Sequence, residues 1–176
     1  MIPSLGILTL MALACVVILW VSLALPGGRD GLRALLEVHP RAPLAFAWTV
    51  ALTATLGSLY LSDVRQLEPC LLCWYQRIAM YPLVIVLGVA LLRRDAEVWK
   101  TALPLAVIGA AISTYHILVQ WLPSVELAQC SASAPCTLRY FVLYGFITIP
   151  AMAGSAFLLI STLLATHAGL GSRTSR

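Results

Sequence analysis

The sequence predicts an all-α integral membrane protein with five transmembrane helices, the first set apart from the other four. Three observations predict it. Hydrophobic residues make up 61% of the 176 residues and charged residues only 10%, against roughly 25% charged in an ordinary soluble domain. A chain this short has too much surface for its volume to hide that much apolar side chain from water. Apolar stretches at 5–25, 44–62, 74–92, 101–122 and 141–165 each reach the ~20 helical residues that a hydrocarbon core of roughly 30 Å requires, and none alternates polar with apolar residues as a transmembrane strand does.

The first stretch, 5–25, has no positive charge before it and runs longer than a signal-peptide core. It is expected to remain as a membrane helix. Cys15 within it reads as a small buried hydrophobe. A linker follows, opening Pro26-Gly27-Gly28 and closing Pro40-Arg41-Ala42-Pro43. It sets residues 1–43 apart from the rest, and its middle, Gly31–Val38, is expected to form a short amphipathic helix on the membrane surface. Stretches 44–62, 74–92, 101–122 and 141–165 are the other four expected spans, within 44–165, and 166–176 the expected cytoplasmic tail. Only the third stretch carries a charge, Arg77.

The connectors alternate sides. Arg29, Arg33, Arg41, Arg93, Arg94, Lys100, Arg173 and Arg176 fall on one side; Arg65, Arg77 and Arg139 fall on or near the other. The positive-inside rule assigns the first set to the cytoplasm. The N-terminus and the segments 63–73 and 123–140 are then extracytoplasmic, and the C-terminus cytoplasmic. The net charge of +4 therefore orients the chain in a bilayer. It forms no basic stripe with interleaved aromatics, so nucleic acid is not an expected partner.

Four of the five cysteines form two pairs, both in outward-facing segments, where paired cysteines are normally oxidised. Cys70-Leu71-Leu72-Cys73 opens the third stretch. A C-x-x-C closes a tight ring, and the helix start favours a thiolate, so the pattern is that of a reactive pair. Cys130 and Cys136 are separated by five small residues or prolines. Alone they read equally well as a structural disulfide; beside the first pair they suggest a relay by thiol–disulfide exchange. A four-cysteine zinc site competes, although C-x5-C is loose for it, and no metal is expected.

Arg77 lies one helical turn beyond Cys73, about 6 Å below the helix start. A charge at that depth is expensive without a function or a partner. It can approach the Cys73 sulfur, or snorkel to headgroups. His116 and Gln120 share a face of the fourth stretch at i, i+4 spacing, with His116 about 9 Å below its outer end. His116 reads either as a helix–helix contact or, by its matching depth, as part of one pocket with Arg77 and Gln120 beside Cys73. Such a pocket would offer cationic and hydrogen-bonding groups to the carbonyl oxygens of a lipid-soluble ring. Repeated thiol oxidation needs an acceptor for two electrons per disulfide. The chain carries no flavin, c-type haem or iron–sulfur signature, and the acceptor already dissolved in the bilayer is a quinone.

The run Pro69-Cys70-Leu71-Leu72-Cys73-Trp74-Tyr75-Gln76-Arg77-Ile78-Ala79-Met80-Tyr81-Pro82 resembles the signature of the DsbB family of quinone-dependent disulfide-forming membrane proteins, and is most similar to its BdbC branch. Ile112-Ser113-Thr114-Tyr115-His116 with Gln120, Cys136-Thr137-Leu138-Arg139-Tyr140 and Gly145-Phe146-Ile147-Thr148-Ile149-Pro150 extend the resemblance, in order and spacing, over 44–165. It implies a four-helix bundle in a bacterial cytoplasmic membrane. It implies that Cys70–Cys73 passes electrons to ubiquinone or menaquinone with Cys73 nearest the ring, that Arg77 assists that step, and that His116 borders the quinone. It also implies that Cys130–Cys136 exchanges with a thioredoxin-fold, DsbA-like or BdbD-like dithiol partner, Cys130 being the sulfur attacked. Residues 1–43 lie outside the pattern, and the second loop is short for an enterobacterial type. In the related vitamin K epoxide reductases the loop pair precedes the C-x-x-C; here it follows.

Overall fold

The computed structural model describes residues 2–126, 130–131 and 134–171, with the side chains of residues 2, 3 and 171 excluded. The tail residues Arg173 and Arg176 lie outside the described residues, as does part of the second cysteine loop. Six α-helices follow in order: α1 (Ile2–Ala24), α2 (Pro26–Val38), α3 (Ala42–Leu59), α4 (Leu71–Arg93), α5 (Trp99–Trp121) and α6 (Ile149–Thr166). A π-helical turn, Tyr60–Val64, extends α3, and another, His167–Gly171, extends α6. Among the described residues five segments are long and apolar enough to cross a membrane: Ser4–Ala24, Ala42–Val64, Leu71–Arg93, Trp99–Trp121 and Ile149–Leu170.

Helices α3, α4, α5 and α6 form a ring, each packed on its two neighbours, and α1 packs outside the ring against α6. Ala47, Ala51, Leu83, Leu87, Ala102, Ala106, Phe157, Ile160 and Leu164 fill the interior. Small residues let the backbones approach, as membrane packing requires where lipid is as apolar as the core. Gly109 of α5 is the tightest case: a Cβ there would stand 2.2 Å from the Phe157 ring of α6. The opposite faces carry Val17, Ile18, Ile78, Ile85 and Leu92, all exposed, as lipid-facing surfaces are. The amphipathic linker helix starts earlier than Gly31, at Pro26, because proline at a helix start lacks only an N–H that would have no partner there. It packs against α1 and the His167–Gly171 turn.

One span differs from expectation. The helix assigned to 141–165 begins at Ile149. Residues 143–147 instead form a tight hairpin, with Leu143 and Ile147 exchanging both backbone hydrogen bonds at 2.9 Å. Tyr144 and Gly145 hold positive φ, 51° and 83°, which a helix does not tolerate. Pro150 sits at the start of α6, where its missing N–H costs nothing.

Candidate redox site

Both cysteine pairs lie at one end of the ring; the connectors bearing Arg29, Arg33, Arg41, Arg93 and Arg94 lie at the other. Cys70 is the N-cap of α4: its backbone is extended and its sulfur accepts from the Cys73 N–H at 3.4 Å. A sulfur there meets N–H groups that have no partner inside the helix, together with the positive end of the helix dipole. The Cys70 and Cys73 sulfurs are unbonded and 3.0 Å apart. Hydrogen bonding from the Cys73 thiol, aided by His116, outweighs burial and lowers the Cys70 thiol to about 4. Cys130 and Cys136 form a disulfide, with Cα atoms 5.8 Å apart. Cys136 is fully buried and Cys130 half-buried, and Ala134 of their loop packs with Cys70, Leu72 and Val119.

His116 joins the two pairs. Gln76 of α4 donates from Nε2 to His116 Nδ1 at 3.2 Å. The imidazole proton then sits on Nε2, a tautomer assigned from this network. It donates to the Cys136 carbonyl at 3.2 Å and faces the Cys70 sulfur at 3.6 Å. Gln120 donates to the Leu138 carbonyl at 3.1 Å, and its own carbonyl oxygen is buried without a hydrogen-bond partner among the described residues. His116, Gln120, Cys70 and Cys73 share a small cavity under the second loop.

Arg77 is elsewhere. It turns sideways to α3, where Nε donates to Ser58 Oγ at 3.0 Å and Nη2 to the Ser58 carbonyl at 3.2 Å, with the guanidinium over the Trp74 ring. No carboxylate pairs with it among the described residues. It lines a second, larger cavity of about 340 Å³ bordered by α1, α3, α4 and α6. Cys73 opens onto that cavity and Cys70 does not. The expected single pocket of Arg77, His116 and Gln120 is thus divided: Arg77 and Cys73 face the large cavity, while His116 and Gln120 stand behind the C-x-x-C.

Some residues of the site carried no separate sequence signal. Ser58, the Arg77 anchor, is one of several hydroxyls in an apolar span. Gln76 is nearly fully buried, and its polarity within the third span was the cue that could have marked it. Tyr140 donates to the Glu68 carbonyl at 2.8 Å and ties the two cysteine-bearing segments together. A carboxylate oxygen of Glu126 lies within 4.8 Å of the Cys130 and Cys136 sulfurs.

The large cavity has the dimensions of a small-molecule site. Its volume falls in the usual range for small-molecule sites, roughly 300–1,000 Å³. Ser58, Ser62, Gln76, Arg77 and Tyr81 give it a polar end beside Cys73, and the rest is predominantly apolar.

Fold and site together define a membrane protein built around two neighbouring cysteine pairs. The family described as "Disulfide bond formation protein DsbB" matches residues 40–167, and the chain belongs to that family. It is therefore a multi-pass membrane protein with an oxidoreductase role in disulfide bond formation. It is 51% identical over 115 residues to "Disulfide bond formation protein C" of Bacillus subtilis (strain 168), covering 65% of this chain and 83% of that protein. It is 48% identical over 121 residues to "Probable disulfide formation protein C 2" of Bacillus anthracis, covering 69% and 86%. It is 47% identical over 123 residues to "Probable disulfide formation protein" of Coxiella burnetii (strain Dugway 5J108-111), covering 69% and 84%. No solved structure matches it significantly. Helices α1 and α2 lie outside the family match.

Proposed function

We propose that the protein reoxidises an extracytoplasmic thioredoxin-fold dithiol and passes the electrons to a membrane quinone. Residues 44–165, with the last span's continuation to Leu170, are the catalytic bundle, 1–43 an appended helix and linker, and the residues beyond the span a cytoplasmic tail; the span's extension replaces the tail boundary expected at 166. A partner thiolate attacks Cys130 and releases Cys136; the second partner thiolate then closes the partner disulfide and frees Cys130. The loop dithiol next exchanges with the Cys70–Cys73 disulfide, so Cys130–Cys136 closes and Cys70 and Cys73 become thiols. When Cys70 and Cys73 close again they release two electrons and two protons, and a bound ubiquinone or menaquinone supplies the acceptor for both. His116 orients Cys70 toward the loop pair. Arg77 holds positive charge beside Cys73, and Gln76 links the two sides.

The reading rests on one observation: Cys73 opens onto the cavity with a polar end, while Cys70 is turned toward His116 and the Cys136 loop. Reduction of a quinone by the purified protein and a reduced thioredoxin-fold partner tests it. Quinol formation that disappears in Cys73→Ser is the expected result; partner oxidation independent of quinone overturns it. A metal-binding reading has one observation in its favour, since ligand atoms of Cys70, Cys73 and His116 lie within 4.8 Å of one another. Zinc near one per chain in purified reduced protein would favour it.

A further inference from the structure

Helix α1 lies outside the family match, yet it contributes a wall to the large cavity. Leu5, Leu8, Thr9, Met11, Ala12 and Cys15 all face it. Positions 5, 8, 9, 12 and 15 trace one stripe of a helix, recurring every three or four residues. The stripe is about 15 Å long at ~1.5 Å per residue. It carries no charge, and the Thr9 hydroxyl is satisfied by the Leu5 carbonyl at 2.9 Å.

The helix is fixed in this place at both ends. Near the cysteine end, Leu5 lies against Gly57 of α3, where a Cβ would stand 3.6 Å from Leu5 Cδ2. Deeper, Val16 is buried, and Trp20 Nε1 donates to Thr162 Oγ1 of α6 at 3.2 Å. Between those contacts α1 spans the seam between α3 and α6. Without it, the cavity walls Val50, Ala54, Ala153 and Ala156 would face lipid directly. Leu8, Met11 and Phe46 line the cavity and yet stay exposed, so a lateral opening to the bilayer remains between α1 and α3.

We infer that α1 completes the binding site for the isoprenoid tail of the quinone and governs which tail is retained. The inference rests on the quinone reading above. A tail, rather than a phospholipid acyl chain, is the occupant because the groove is continuous with the polar end at Cys73, Gln76 and Arg77. A headgroup there would carry its own chain down the stripe. The bound tail would exchange α3–α6 seam contact with lipid for contact with Ala12 and its neighbours, and each buried CH₂ favours retention.

Photo-crosslinking tests this on the full chain in bilayer discs of defined phospholipid, with a quinone analogue bearing a diazirine on its tail. The expected label falls in α1 near Met11–Cys15 and is competed away by unlabelled long-tail quinone. Competable label on α3 or α6 but never on α1 would overturn the inference and leave the quinone reading standing. Label in the cavity that phospholipid displaces and quinone does not would overturn it in favour of an acyl chain. No quinone-competable label anywhere would remove the quinone reading and this inference together. As a second measurement, Ala12→Phe should reduce retention of long-tail quinone by about tenfold, with a much smaller effect on a short-tail analogue. Val17→Phe, on the exposed face, should leave retention unchanged. Equal retention in Ala12→Phe and Val17→Phe would also overturn it.

Discussion

Arg77 reaches across from α4 to α3 and grips Ser58 twice, at the hydroxyl and at the backbone carbonyl. The charge therefore stays at the cavity and does not reach for headgroups. Arg77→Ala should lower quinone turnover by about 10- to 100-fold, the scale on which a charge at the reacting centre acts, while both cysteine pairs still form disulfides. Arg77→Lys keeps the charge but cannot hold two Ser58 acceptors with a planar fork, so an intermediate defect is expected. Steady-state quinone kinetics check both. Normal kinetics in Arg77→Ala would reduce the residue to an anchor between helices.

The Cys70 thiol, lowered to about 4, implies a pH dependence with a definite sign. In the dithiol state the group is a thiolate above that value. The interactions it makes as a thiolate are fully present above the ordinary thiol range and are lost as pH falls through about 4. Thiolate ultraviolet absorbance should be flat from about pH 6 to about pH 8, where an ordinary thiol with a value near 8.5 would rise steeply. His116→Ala removes one of the groups that lower it and should move the midpoint upward. An unchanged titration in that variant would assign His116 to packing alone.

The half-buried Cys130 and fully buried Cys136 predict where a partner is trapped. In Cys136→Ser, Cys130 has no loop partner. Cys130 should first attack the Cys70–Cys73 disulfide, and a thioredoxin-fold partner lacking its own second cysteine should then displace that sulfur and accumulate as a mixed disulfide on Cys130. Mass spectrometry of the linked peptide checks this; a partner found on Cys70 or Cys73 would reverse the order of the two pairs.

The contact of Gly109 with the Phe157 ring predicts a stability effect remote from the chemistry. Gly109→Ala puts a methyl where the ring already stands and should cost about 1–3 kcal/mol. Thermal unfolding in detergent should fall accordingly, and Phe157→Leu in the same chain should recover part of the loss. A neutral Gly109→Ala would mean that α5 and α6 separate easily.

Reporter fusions check the orientation. A periplasm-active reporter fused within 123–140 should be active, and one fused at 93–100 inactive, because the basic connectors gather at the end remote from the cysteines.

The spans and the cysteine pairs were legible because length, apolarity and covalent chemistry are local properties. The start of α6 was not: Phe141–Thr148 is almost as apolar as the helix after it, and hydropathy alone cannot separate an apolar hairpin from a span. Only the Tyr144–Gly145 turn and Pro150 mark the break. The depth of Arg77 could be counted along the helix, but its direction could not, since Ser58 lies on a different helix with no motif around it. His116 and Gln120 were correctly placed on one face. Which neighbour that face meets depends on the ring order of the helices, which the sequence does not state.

The hydrogen bond between Trp20 and Thr162 links residues 142 positions apart, and that separation has a consequence for biogenesis. At ~5–20 residues per second, Thr162 leaves the ribosome roughly 7–28 s after Trp20. During that interval the first helix can meet α2 and α3 but not α6, and the groove it will cover does not yet exist. Docking of the first helix on α6 therefore waits for the synthesis of α6, even if its insertion comes much earlier. Helix α6 helps position the first helix, so a nascent chain truncated before α6 would leave Trp20 without its Thr162 acceptor.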